Sequence, residues 1–191
     1  MNTWQKEMGE TLHPSLRRTI ALIGMMGAGK TTTGFGLAQR LGIKFVDSDR
    51  EIEKEEGLTT GEIFEQKGEE YYRDTEKRVI KKILNTPKPQ VLSIGGNSYD
   101  DEEIRRYIKE RAISIFLDVD LDILIKRVER RNNRPVLEGK NKADIMTKIY
   151  NDKFPIYSTT DIIVNTTYLN KDTTINVIMQ LINDHLNSYG K

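Results

Sequence analysis

The chain of 191 residues contains no cysteine, which excludes a disulfide framework, a thiolate nucleophile and a zinc-thiolate site, and suits the cytosol. It has no excess charge of either sign. Thirty Lys and Arg against 29 Asp and Glu leave +1, too little for a global field that would steer it to nucleic acid or a membrane surface. No apolar run approaches the length of a membrane span. Residues 1–18, with Trp4, Lys6, Glu7, Glu10, His13 and Arg17, lack the apolar stretch of a signal peptide. Internal repeats and low-complexity segments are also missing. The length suits one well-buried α/β domain and is short for two. We therefore expect a loosely ordered extension at 1–18 and a single domain at 19–191, with no field pointing to nucleic acid or membrane, so that partners must be read from local sites.

Against these absences stands one strong motif. Gly24-Met25-Met26-Gly27-Ala28-Gly29-Lys30-Thr31 satisfies G-x-x-x-x-G-K-[S/T], the phosphate-binding loop. It follows an apolar run at 19–23 that reads as a buried strand and precedes a helical stretch at 32–41, the context the motif requires. Glycines let backbone N–H groups curl around phosphate oxygens, and the helix start adds unpaired donors and partial positive charge. Gly27, Ala28, Gly29, Lys30, Thr31 and Thr32 are thus expected to hold a nucleoside triphosphate, with Lys30 on the β- and γ-phosphates and the Thr31 hydroxyl on Mg2+.

Short apolar runs at 19–24, 44–47, 91–94, 114–117 and 161–164 alternate with amphipathic stretches. This predicts an α/β fold, a three-layer sandwich with a five-stranded parallel sheet covered on both faces. Helices are expected at 31–41, 50–56, 60–66, 69–84, 101–110, 121–131, 142–151 and 172–187, the last with a core stripe of Ile175, Ile178, Met179, Ile182 and Leu186. Two stretches break the alternation: a helical insertion at about 48–84, read as an acceptor-binding subdomain, and a polar, basic segment at about 130–142, read as a mobile lid.

Asp47-Ser48-Asp49 ends the second strand. Residues two apart on an extended chain point to one side, so both carboxylates can face the crevice, one near Mg2+ and one near an acceptor hydroxyl. The same triplet is also a reasonable helix cap. Arg73 and Glu76 form an i, i+3 pair, for which an exposed salt bridge is the simpler reading and a carboxylate grip by Arg73 the functional one. Gly95-Gly96 after the third strand permits close ligand approach, although a glycine pair alone is a weak signal. In the basic segment Arg134 can swing onto a transferring phosphoryl group, or belong to an ordinary solvated loop.

These motifs, Gly-Glu-x-x-Tyr-Arg-x-x-Glu at 68–76, Arg134-Pro135 and Pro155-Ile156-Tyr157 included, stand in an order that resembles the shikimate kinases, small P-loop NTPase enzymes of the nucleoside-monophosphate-kinase fold. The resemblance implies transfer of the γ-phosphoryl of ATP to the 3-hydroxyl of shikimate, with ATP and Mg2+ required. It implies that Asp49 acts on the acceptor hydroxyls as base or orienter, and that Asp47 reaches the metal through water. It also implies that Arg73 holds the acceptor carboxylate, Phe64 and Tyr72 form apolar walls, Gly95 and Gly96 give backbone contact, Arg127 stacks on adenine and Arg134 serves as the lid arginine. Two positions depart from the family pattern. Asn97 replaces a third glycine, and either narrows the pocket or takes a left-handed backbone and adds a hydrogen bond. Lys153 replaces a second carboxylate-binding arginine, keeping the charge without the bidentate fork. Two alternatives remain: a related kinase with another acceptor, such as gluconate or a nucleoside monophosphate, or a non-catalytic ATP-binding relative.

Overall fold

The computed structural model describes residues 16, 18–130 and 142–189. Five strands, β1 (Thr19–Ile23), β2 (Lys44–Asp47), β3 (Gln90–Ser93), β4 (Ala112–Asp118) and β5 (Ile162–Asn165), form one parallel sheet in the order β2-β3-β1-β4-β5. Every residue of β1 and β3 is buried, as a sheet covered on both faces demands. The helices are α1 (Lys30–Leu41), α2 (Ser48–Glu56), α3 (Thr60–Leu84), α4 (Glu102–Arg111), α5 (Leu121–Glu129), α6 (Lys142–Tyr157) and α7 (Lys171–Tyr189). α1 packs on β2, β3 and α7, while α4 packs on α3 and β4. The stripe expected on the last helix is core: Ile175, Ile178, Met179 and Ile182 are buried. No helix among the described residues is long and apolar enough to cross a membrane.

Sheet order positions the site. From central β1 the chain turns to β2 and β3 on one side and later to β4 and β5 on the other, so a crevice opens beyond the carboxyl end of β1. The parallel register brings Asp47 level with Ser93 and Leu22 level with both Ser93 and Ile115, so the loops after these strands emerge at one edge.

Local chemistry differs from expectation at three places. The helices expected at 60–66 and 69–84 run as one, α3, bent where Gly68 takes φ 86° and ψ 169°, outside helical space. Its start is fixed by a capping box: Thr59 Oγ1 accepts from the Glu62 N–H, and the Glu62 carboxylate accepts from the Thr59 N–H. α6, expected to stop at 151, continues through Pro155 to Tyr157. Proline there removes one donor near the helix end rather than breaking the helix. A 3-10 turn at Ser98–Asp100, not foreseen, follows Gly95-Gly96-Asn97.

Candidate active site

The loop after β1 has the backbone that its glycines allow: Gly27 and Gly29 take φ 83° and 94°. Gly29 caps α1 without a side-chain hydrogen bond, and the first turn of α1 contains no acidic residue of its own, so its N–H groups are left to a ligand. Lys30 Nζ donates to the carbonyls of Gly24 (2.7 Å) and Met25 (3.2 Å), folding the ammonium back over the loop. Arg127 on α5 donates to the Gly27 carbonyl at 3.1 Å, which brings it to the loop's flank.

Thr31 Oγ1 donates to Asp47 Oδ2 at 3.0 Å, so the oxygens expected around Mg2+ lie side by side. No cluster of three or more His, Asp or Glu suited to a metal occurs among the described residues. A hydroxyl and one carboxylate nevertheless fit an ion that keeps several waters and shares phosphate oxygens. The reason both Asp47 and Asp49 reach the crevice is not the one expected. Only Asp47 is extended; Asp49 stands in the first turn of α2, whose N-cap residue, Asp47, makes no side-chain capping bond.

Asp49 is the most perturbed acid of the site. Burial first, then the neighbouring charge of Asp47, raise its pKa from 3.8 to about 6, with Glu76 and Glu53 adding to the rise and Lys30 opposing it. Its Oδ1 is buried without a hydrogen-bond partner. An orphaned, desolvated carboxylate oxygen in a crevice is a group prepared for a ligand's proton.

On the bent α3, Arg73 donates to Glu76 Oε2 at 3.1 Å and to Glu69 Oε1 at 3.2 Å. Spacing had favoured an exposed salt bridge, yet Glu76 is only 4 % exposed and its Oε1 accepts from Ser98 Oγ at 2.6 Å. The guanidinium is therefore oriented by a buried anion that is itself held. The Phe64 and Tyr72 rings lie 4.6 Å apart, and the Arg73 guanidinium stands 5.9 Å and 5.5 Å from their centroids. Tyr72 is buried, and that burial raises its hydroxyl pKa, so the hydroxyl stays neutral.

Gly95 donates its N–H to Ser48 Oγ at 3.0 Å. Asn97 has φ −105° and ψ −14°, so the left-handed conformation considered for it is not taken; it is exposed and lines the crevice. Lys153 also lines it, but its ammonium is paired with the Asp100 carboxylate. Tyr157 donates its hydroxyl to the Gly96 carbonyl. Sequence reading named Ser48 and Tyr157 only within motifs, without a role, and missed Ser98 and Asp100; their contacts join residues 22 to 61 positions apart.

A single cavity of about 1200 Å3 contains Gly27, Gly29, Lys30, Thr31 and Thr32 at one part of its lining, and Asp49, Phe64, Tyr72, Arg73, Gly95, Gly96 and Lys153 elsewhere. Ala28 packs beneath the loop, 5 % exposed. Arg134 and nearly all of the expected lid lie outside the described residues, as does nearly all of 1–18.

Residues 26–183 match the family profile described as shikimate kinase. A shikimate kinase of Rhizobium meliloti (strain 1021) is 37% identical over 169 residues, covering 88% of this chain and 88% of its own. One from Nitrobacter winogradskyi is 46% identical over 147 residues, 77% of this chain and 68% of its own. Among solved structures, shikimate kinase from Acinetobacter baumannii in complex with shikimate superposes with TM-score 0.82 at 31% identity, covering 93% of this chain and 96% of the other.

Proposed function

The chain belongs to the shikimate kinase family, and from that membership we infer that it transfers the γ-phosphoryl group of ATP to the 3-hydroxyl of shikimate, giving shikimate 3-phosphate for aromatic amino acid synthesis. The observation that carries the reading is Asp49: a buried carboxylate with one unpartnered oxygen, in a cavity shared by the phosphate loop and by Arg73.

We assign the roles as follows. The backbone N–H groups of Gly27, Ala28 and Gly29 and the start of α1 cradle phosphate oxygens. Lys30 leaves the loop carbonyls it now bonds and turns to the β- and γ-phosphates. Thr31 and, through water, Asp47 would hold Mg2+, which would supply the charge that neutralises phosphate oxygens in this class of transfer. Arg127 flanks the adenine. Arg73 grips the shikimate carboxylate, Phe64 and Tyr72 wall the ring, and Gly95 and Gly96 approach it with backbone. Asp49 Oδ1 accepts a hydrogen bond from the 3-hydroxyl, orients it in line with the γ-phosphorus and takes its proton as the bond to phosphorus forms and the bond from phosphorus to the bridging oxygen breaks, with ADP leaving. By resemblance Arg134, in a lid at about 130–142, stabilises the transferring group and excludes water. We further assign residues 19–191 to one kinase domain with its acceptor-binding insertion at about 48–84, and read the enzyme as a cytoplasmic monomer.

The test is ADP release by purified protein with ATP and Mg2+, offering shikimate, quinate, gluconate and nucleoside monophosphates in turn. Release with shikimate alone is expected. Release with another acceptor would reassign the substrate, and release with none would leave an ATP-binding relative.

A further inference from the structure

The acceptor end of the cavity carries two cations of different kinds. Arg73 is compensated by Glu69 and Glu76, but its planar fork has five donors, so it can keep Glu76 and still bind a ligand. Glu76 is buried and cannot leave. Lys153 is a point charge with a side chain only 12% exposed, standing 5.9 Å from the Tyr157 ring centroid and paired with Asp100. For a third charge nearby, that pair has no net attraction to offer.

Asp100 is built to stand there. Its turn is pinned: the Asp100 N–H donates to the Asn97 carbonyl at 3.2 Å, and Arg105 Nη1 donates to the carbonyls of Tyr99 (2.9 Å) and Asp100 (2.6 Å). Ser98 of the same turn is tied to Glu76. The backbone is thus fixed while the carboxylate, with its side chain 35% exposed at the rim, can turn to water at small cost. A held Glu76 and a releasable Asp100 make opposite arrangements around the two cations.

We propose that Asp100 is an internal counter-ion that the acceptor's carboxylate must displace from Lys153, so that this aspartate sets the affinity of the enzyme for an anionic acceptor. The proposal rests on the reading of shikimate as acceptor. In the absence of acceptor Asp100 spares Lys153 an uncompensated charge in a half-dry site. When a carboxylate enters, Lys153 exchanges one anion for another, and the net gain from the second cation is small. Arg73 then does most of the holding.

The experiment compares wild type, Asp100→Asn, Asp100→Ser, Lys153→Met and the double variant Lys153→Met/Asp100→Asn, each checked for an unchanged melting profile. Shikimate and its methyl ester serve as acceptors, with kcat and KM resolved and acceptor binding followed by calorimetric titration. Both Asp100 variants should lower the KM for shikimate roughly threefold to fivefold, the change falling on KM rather than kcat. The methyl ester, which lacks the charge, should show no such change. With Lys153→Met in place Asp100 stands as an unpaired negative charge, so Asp100→Asn should again lower the KM for shikimate and leave that for the ester unchanged. A KM for shikimate that is unchanged or higher in both Asp100 variants overturns the proposal, as does an equal drop for the ester. Wild type that neither binds nor phosphorylates shikimate overturns the acceptor reading itself, and this proposal with it.

Discussion

A β-carbon on Gly95 would stand 2.6 Å from Asp49 Oδ1, the oxygen that has no hydrogen-bond partner. It would also lie 3.0 Å from Ser98 Oγ and 3.2 Å from Glu76 Oε1, so three polar groups converge on a space only hydrogen can fill. Nothing lies within 4 Å of the equivalent point on Gly96. The two glycines thus answer different demands: Gly95 yields room to the acid, and Gly96 offers its carbonyl to Tyr157.

Gly95→Ala is expected to push Asp49 aside and lower kcat about 100-fold, the scale of a misplacement near 1 Å. Gly96→Ala should leave the melting temperature of the free protein in place. Equal losses of kcat and equal melting behaviour in the two variants would contradict this division.

Asp49 also gives a pH signature. Its pKa is raised from 3.8 to about 6 in the folded protein, so the fold binds the proton more tightly than the unfolded chain does. The group therefore favours folding fully below pH 4, and that contribution is lost as pH rises through 6. At neutral pH the cost is up to roughly 3 kcal/mol. Asp49→Asn should accordingly stabilise the ligand-free protein at pH 8 and give no advantage at pH 4, read from denaturant midpoints at the two values. In wild type, kcat/KM for shikimate should fall as pH drops below 6, as the base is protonated.

Glu76→Gln keeps the shape but removes the buried charge that orients Arg73 and accepts from Ser98. We expect a rise of about tenfold in KM for shikimate and a stability loss of about 1–3 kcal/mol. A variant that keeps its KM would show that Arg73 needs no buried partner.

Lys30→Ala should reduce ADP release by at least ~100-fold, since a phosphate-cradling cation is lost where charge develops. Its hydrogen bonds to the Gly24 and Met25 carbonyls are lost with it, so stability should fall by about 1–3 kcal/mol while the fold is kept. Loss of the fold, rather than of turnover, would refute the assignment.

The donor half was legible because its chemistry is local. Gly27, Gly29, Lys30 and Thr31 are neighbours in the chain, and strand, loop and helix set most of their geometry, with Arg127 and Asp47 added from later elements. Asp47 and Asp49 were legible as letters but not as geometry, since the helix begins at Ser48, two residues before the expected start at 50. The helix expected at 142–151 runs on through Pro155 to Tyr157, since a proline near a helix end costs little there. The pairing of Lys153 with Asp100, 53 residues away, and of Glu76 with Ser98, 22 away, left no trace in spacing because it depends on how loops beyond parallel strands meet.

The bend at Gly68 carries a last consequence. On a straight helix Phe64 and Tyr72 would be about 12 Å apart along the axis, yet their rings lie within 4.6 Å. No neighbour crowds Gly68; only its φ of 86° resists a side chain. The apolar wall is therefore encoded at a residue that forms no part of it. A relative could keep both aromatic rings and still lose the wall through one methyl group at position 68, and inventories of pocket residues would record no change.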